Sequence, residues 1–381
     1  RMWQFAVPIL FISVWTETLL PSAIFNFLLY IVKLPCVPAV GRCVDTTDRL
    51  RLIMRSTFGQ TICTFLSALM LVGLARSVAT SGAQFGERGL DLVLFVALIV
   101  VGIAGDLFNV AGKLGIEKDW VVVIAGGDTD LLAKLNSTLR SIDLLCKIAA
   151  PFFFGILVNL PANPQDQVVL GTSLVMAWSV LSVFPIYFAW SSVYFQYAEL
   201  QTVRPAKKNN PLNVLVHGCK AYVSLPAFGA SLAYCFLYFT VLSDHHPLST
   251  AFLKMDGVSP AALGAARGGG ALTGLVGTLL FPALRRKLGL TSASLLSAWA
   301  FAGCIVPISG LYVRNDEPWP LRSYLLLAAI VVSRIFLWCF DLSNVQLMQE
   351  TVAEHSRGEL NGMQSATCQL MELIMAFLAL F

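Results

Sequence analysis

The sequence predicts an all-α integral membrane protein, a helical bundle of two lobes. Three observations carry that prediction. Of 381 residues, 57% are hydrophobic, only 13% are charged, and the mean hydropathy is +0.74; soluble domains carry about 25% charged residues. The apolar residues fall into repeated runs of about 20, the length that crosses a bilayer as a helix. A polar break at 201–213, holding Arg204-Pro205-Ala206-Lys207-Lys208, divides those runs into six and five. A strand barrel would need alternating segments of about ten residues, and these runs do not alternate.

In order, the segments are 2–16, 18–40, 53–75, 90–112, 137–160 and 169–195, in a first lobe at 1–200. A cytoplasmic linker follows at 201–221. The second lobe, 222–381, holds 222–243, 258–282, 290–313, 322–345 and 361–381. Each is helical by length, because hydrocarbon leaves backbone N–H and C=O groups no partner outside their own segment. The chain opens at Arg1 with no cleavable signal sequence and stops inside an apolar run at 373–381. It is therefore expected to be a fragment cut at both ends, with a twelfth helix missing. Six plus six helices is the layout of transporters whose parallel lobes rock about a midplane site.

Orientation follows from Lys and Arg. One set of alternate loops holds Arg42, Arg49, Arg51, Arg55, Lys113, Lys118, Lys134, Arg140, Arg204, Lys207, Lys208, Lys220, Arg285, Arg286, Lys287 and Arg357. The opposite set holds Arg76, Arg88, Lys254, Arg314 and Arg322. This roughly threefold bias places the first set, and the amino end, in the cytoplasm. The net charge of +4 is modest; the lipid bilayer is the expected partner, and no nucleic acid is. The nine cysteines form no CxxC pair and lie mostly in apolar runs, as small buried hydrophobes. No HExxH, nucleophilic triad or phosphate loop is present, so the chain is not expected to be an enzyme.

Several polar stretches do not suit a lipid face. Gly41, Asp45, Arg49 and Arg51, between the second and third segments, have the spacing of the loop motif of major facilitator transporters. The glycine permits a tight turn, the aspartate can cap a helix start, and the arginines can reach acids on a neighbouring helix end. A weaker echo is Leu284-Arg285-Arg286-Lys287-Leu288-Gly289. Acids and bases also alternate in Asp119-Trp120, in Asn136 to Asp143, and in Gln349-Glu350 through Glu354 to Arg357. Such charges on the inner loops of both lobes could pair and close a cleft, although only a network would hold it. Asn136-Ser137-Thr138 matches a glycosylation sequon, which is idle on the cytoplasmic side. Gly264/Gly268 and Gly270/Gly274 are spaced for close helix packing. Lys33, Lys147, Arg267, Arg334, Asp341 and Glu372 fall within apolar runs and are expected to face an interior or a water path. Lys33 and Lys147 could instead snorkel.

The sharpest local feature is Ser243-Asp244-His245-His246-Pro247, at the end of the seventh segment. Proline removes a donor and frees the carbonyl four residues earlier, here that of Ser243. Adjacent histidines in an unbroken helix point about 100° apart, but at a break they can converge. Imidazole with a carboxylate suits a divalent transition metal. Because the metal needs neutral imidazole, protons compete with it, a ready basis for metal–proton exchange. The plainer reading is a solvated outer loop.

Taken together, these stretches resemble the ferroportins, iron exporters within the major facilitator fold. The resemblance runs through Arg1-Met2-Trp3, Asp119-Trp120-Val121-Val122-Val123 with Ala125-Gly126, and Leu135-Asn136, Arg140, Ile142-Asp143. It continues in Leu337-Trp338, Phe340-Asp341-Leu342, Gln346-Leu347, Gln349-Glu350, Arg357-Gly358, Asn361-Gly362 and Gln364. Tyr238 to Leu242 and Thr250 to Leu253 look closer to plant and algal members. The resemblance implies efflux of ferrous iron as substrate, with Co2+, Ni2+, Zn2+ or Mn2+ also accepted. It implies alternating access, proton exchange, two metal sites and no resident cofactor. It implies a plasma-membrane or vacuolar or other organellar location. A cytoplasmic gate would use Arg49, Asp119, Asn136, Arg140, Asp143 and Arg357. One metal site would lie between the first and sixth helices, where Ser179 stands at an asparagine position and Ser182 offers an oxygen. The other would use Asp244, His245, His246 and Met375. There are departures. The first-helix aspartate would precede Arg1, Gln4 stands where vertebrate members have histidine, and Ile186 replaces a glutamate. The seventh-helix cysteine is absent, which argues against control by a cysteine-contacting peptide hormone such as hepcidin. The competing readings are a major facilitator carrier of small organic solutes and a non-transporting membrane protein.

Overall fold

The computed structural model describes residues 2–378 except 16, 17, 19, 83, 159, 162, 203–210, 240–252, 255 and 315–318. Among the described residues the chain is helical throughout, with no strand. Helices α1 (Met2–Val14), α2 (Leu20–Thr46), α3 (Arg49–Ser81) and α4 (Gly89–Lys113) are followed by a π-helical turn, Leu114–Trp120. Then come α5 (Val121–Ala125), α6 (Thr129–Val158), α7 (Pro164–Gln196), α8 (Pro211–Val223) and α9 (Phe228–Phe236). The rest are α10 (Pro260–Leu288), α11 (Leu290–Arg314), α12 (Trp319–Thr351) and α13 (Arg357–Leu378). Seven helices among the described residues are long and apolar enough to span a membrane: α2, α3, α4 with its extension to Ala125, α6, α7, α11 and α12.

Helix boundaries follow local chemistry. Asp48 caps α3 by accepting from the Arg51 N–H at 2.9 Å, and Gly82 ends it at φ 64°, a left-handed conformation that costs glycine little. Asp128 caps α6, accepting from the N–H groups of Leu131 and Asp130, and those bonds hold its carboxyl below the usual carboxylate range. Ser259 caps α10, with Pro260 in its first turn. Several helices outrun their apolar segments: α3 extends to Ser81, α10 to Leu288 and α12 to Thr351. The extra turns carry the charges beyond the hydrocarbon. Two features differ from expectation. Pro211–Val223 is helical, within and just beyond the stretch assigned to the linker, because proline is well suited to a first turn. The described part of the seventh segment is interrupted at 224–227, around Pro226, before α9 begins.

Two compact units account for the chain. The first comprises Arg1–Ile124, Ala149–Val223 and Ala353–Gln369. Its core packs Phe11, Trp15, Phe25 and Phe95 edge-on and tilted between α1, α2 and α4, with Leu71 and Leu74 from α3 and Phe154 and Val175 from α6 and α7. The second comprises Ala125–Ile148, Ser224–Val352 and Leu370–Phe381. Its core is built from α10, α11 and α12, including Leu263, Ile305, Leu327 and Ile330. On α7 the large side chains Trp178, Phe184, Phe188 and Phe195 are exposed, as a lipid-facing surface requires. Of the glycines spaced for packing on α10, Gly264 and Gly268 have no neighbour within 4 Å of a built β-carbon among the described residues. Gly274 lies against Trp338, and Gly277 against the backbone of Ile335.

Candidate functional site

Within the first unit, α2, α3, the π-helical turn and the start of α13 bring a charged cluster together. Arg49, 1% exposed, is its centre. Its Nε donates to Asp119 Oδ2 at 2.8 Å and its Nη2 to Asp119 Oδ1 at 3.3 Å. Nη2 also reaches Glu354 Oε1 at 2.6 Å, and Nη1 reaches Thr202 Oγ1 at 2.7 Å and the Glu199 carbonyl at 3.3 Å. Asp119, also 1% exposed, is delivered by the wide turn. The next residue, Trp120, packs edge-on against Trp190 at 5.6 Å.

Beside it, Asp45 caps α13. Its two oxygens accept from the N–H groups of Gly358 at 2.7 Å and Glu359 at 2.8 Å. A carboxylate at a helix start satisfies orphan donors and meets the positive end of the helix dipole. Arg42 pairs with Glu359 at 3.1 Å. The capping role expected of Asp45 is therefore filled on a helix more than 300 residues away in sequence, where α2 and α13 touch at Gly41 and Gly358. Arg357 is the first residue of α13.

The second unit holds the other expected gate residues. The buried Asn136 and Gln349 side-chain amides, 4% and 2% exposed, bond reciprocally at 2.6 and 3.1 Å. This burial agrees with an idle sequon. One turn on, Arg140 pairs with Asp341 at 2.9 Å, and Asp143 pairs with Lys147 at 3.1 Å. Arg140 and Lys147 both lie over the Trp338 ring, at 5.2 and 5.4 Å. The Tyr234 hydroxyl donates to Asp341 at 2.8 Å. Lys147 is thus held by Asp143 and Trp338, and in the first unit Lys33 is held by Asp106 at 2.6 Å; neither needs to snorkel. Replacing Asn136 with Ala leaves the Gln349 amide without this partner and is expected to cost about 1–3 kcal/mol. Thermal unfolding in detergent checks it: the Asn136→Leu, Gln349→Leu pair should recover much of the lost stability, and an equal loss in single and double variants would refute the pairing.

The metal-ligand expectations are placed less fully. Asp244, His245 and His246 lie outside the described residues. Ser179 and Ser182 are half-buried on consecutive turns of α7, and the Ser182 hydroxyl donates to the Ser179 carbonyl at 3.0 Å. Met375 is half-buried on α13, one turn after Glu372. Among the described residues, no group of three or more His, Cys, Asp or Glu could hold a metal. Sequence reasoning gave no role to Asp106, and it set Gln349 and Glu354 among inner-loop groups that could pair without naming their partners. Asp341 stood out as an acid in an apolar run, but its partners Arg140 and Tyr234 are distant in the chain.

A family model described as Ferroportin1 (FPN1) matches residues 1–212 and 208–381. The chain belongs to the ferroportin family. Ferroportins are membrane transporters of the major facilitator type and not enzymes. The chain is 29% identical over 400 residues to solute carrier family 40 member 1 of Oryza sativa subsp. japonica, covering 98% of this chain and 80% of that one. It is 28% identical to ferreportin of Bdellovibrio bacteriovorus, covering 98% and 83%, and 26% identical to ferroportin of Canis lupus familiaris, covering 98% and 82%. Among solved structures, it is similar to a bacterial homologue of the iron transporter ferroportin in its outward-facing state. The TM-score is 0.84 at 26% identity, over 98% of this chain and 86% of that one. The same homologue with soaked iron gives 0.83, and its inward-facing state 0.65. Like other ferroportins, this one is a multi-pass membrane protein of a metal-exporting family.

Proposed function

We propose that this ferroportin exports ferrous iron from the cytosol by alternating access, in exchange for protons. Co2+, Ni2+, Zn2+ and Mn2+ are alternative cargoes of the same chemistry. The observation that carries the reading is the match over nearly the whole chain to a homologue that has been solved with soaked iron. That homologue has both outward- and inward-facing states, which supports alternating access. The residue chemistry agrees. His245 and His246 offer imidazoles and Met375 a thioether, which suit late transition metals, while Asp244, Ser179 and Ser182 offer harder oxygen ligands. Neutral imidazole is required for binding, so external protons displace the metal.

Arg49, Asp119 and Arg357 act with Asn136, Arg140 and Asp143 as the cytoplasmic gate. Within the first unit, Glu354 adds a second acid to Arg49 at 2.6 Å, so the arginine is held as part of a network. The amino end lies in the cytoplasm, and the host membrane is the plasma membrane or that of a vacuole or other organelle.

The test uses the full-length protein in liposomes loaded with Co2+, at two external pH values. Replacing His245 and His246 with Ala is expected to slow efflux and remove its pH dependence. Unchanged, pH-sensitive efflux would exclude these imidazoles as the exchange site.

A further inference from the structure

A second ionisable feature of the first unit lies apart from both clusters above. α1, α2, α3 and α4 enclose a cavity of about 560 Å³. Its polar lining includes Asn26, Gln60, Thr64, Ser67 and Asn109. It also contains the Lys33–Asp106 ion pair, N to O 2.6 Å, with side chains 13% and 15% exposed. The ammonium further lies 5.6 Å from the centre of the Tyr30 ring, and Asn109 donates to Asp106 at 3.4 Å. The titratable and charged groups around the pair are few. α1 contributes none, α2 contributes Tyr30 and Lys33, α3 contributes Cys63, and α4 contributes Asp106 and Lys113.

The depth of the pair matters. About 10 Å of helical rise separates Lys33 from residue 40, where the second apolar segment ends. In a hydrocarbon layer about 30 Å thick, that puts the pair about a third of the way into the bilayer. Desolvating two charges costs several kcal/mol per ion, and an apolar pair of similar volume would often hold the helices at least as well. Bundle packing therefore does not explain the pair. Ionisable groups at such depth mark ion or proton paths. An independent observation says that the cavity is wet. Ser67 Oγ lines it, is 1% exposed as a residue, and has no hydrogen-bond partner among the described residues. Buried hydroxyls are satisfied by protein or by water, and this cavity is both polar and large enough for water.

We propose that the Lys33–Asp106 pair is a proton site of the transport cycle, loaded through the water of this cavity and separate from the metal ligands. One proton passes from water to the pair, an Asp106 O–H bond replaces the ion pair, and the reverse step returns the proton to water on the other side of the membrane. The inference rests on the metal–proton exchange proposed above.

The experiment measures two fluxes at once in liposomes carrying the full-length protein: Co2+ movement, and the pH of the lumen from a trapped dye. The expected result for Asp106→Asn is continued Co2+ movement with far fewer protons moved per Co2+; Asp106→Glu should restore the ratio. Because a single substitution strands one charge, at a cost that can stop folding, the Lys33→Met, Asp106→Asn double variant is also measured. It removes both charges and should give the same low ratio. A purely structural pair would reduce both fluxes together and leave the ratio unchanged, and that outcome overturns the proposal. Wild-type protein that moves Co2+ without any proton overturns the exchange reading as well, so the two failures are distinguishable.

Discussion

Gly41→Ala is expected to abolish transport and to lower the unfolding temperature far more than Gly264→Ala in α10. A β-carbon at Gly41 would fall 2.7 Å from the carbonyl carbon of Gly358, and closer still to its oxygen. The obstacle is backbone, so no rotamer change relieves it. α2 and α13 must separate, and the Asp45 bonds to the Gly358 and Glu359 N–H groups stretch with them. Overpacking typically costs about 1–3 kcal/mol, and a hydrogen bond to a charged group is worth about 1.5–3 kcal/mol, so the total should exceed about 3 kcal/mol. Gly358→Ala should do the same, since its β-carbon would lie 2.8 Å from Val44 and against the Gly41 carbonyl oxygen. Gly264→Ala is the control. Among the described residues nothing lies within 4 Å of that position, and alanine is the better helix former. Thermal unfolding in detergent settles the comparison: equal melting of Gly41→Ala and Gly264→Ala would show that the crossing is not as tight as drawn.

The second large effect is expected at Arg49. Removing one partner of a buried ion pair costs about 3–5 kcal/mol, because the other is left charged and dry. Arg49→Ala would remove the guanidinium from Asp119, whose side chain is 1% exposed. Arg49→Lys keeps the charge but not the planar fork that serves Asp119, Glu354 and Thr202 together, so it should not rescue. The informative variant is Arg49→Met with Asp119→Leu, which replaces charge with apolar volume. Its stability should recover substantially, while Co2+ efflux should stay lost. Recovery of efflux along with stability would mean that the pair only holds helices together.

Much of the fold could be read from the chain because a bilayer imposes one requirement on every span. Twenty apolar residues must form a helix, and the predicted segment 290–313 matches α11, Leu290–Arg314, almost residue for residue. The boundaries of α3 and α12 were less legible, since their outer turns are polar and hydropathy cannot follow them out of the hydrocarbon. α8 was hidden for the same reason: its Pro211 reads equally as linker or as first turn. Within the site, local spacing marked Gly41, Asp45 and Arg49 as a unit, and a resemblance marked the six gate residues. Their partners were invisible because pairing is a tertiary fact. Glu354, Glu359 and Asp341 are ordinary acids until the chain brings them to Arg49, Arg42 and Arg140. Asp106 was harder still, one carboxylate in an apolar run whose lysine lies on another helix. The metal-ligand reading depends on a break predicted from Pro247, which falls among residues that are not described.

The wide turn at Leu114–Trp120 has a consequence for reading frame in three dimensions. A π-helical turn accommodates, in effect, one surplus residue, and each residue of an α-helix advances the azimuth by about 100°. Everything beyond Lys113 is therefore rotated out of phase with the lipid-spanning part of the same rod. Shortening the chain there by one residue would swing the carboxylate of Asp119 away from its guanidinium and carry the indole of Trp120 with it. Composition and charge would hardly change, yet the lock would lose its key.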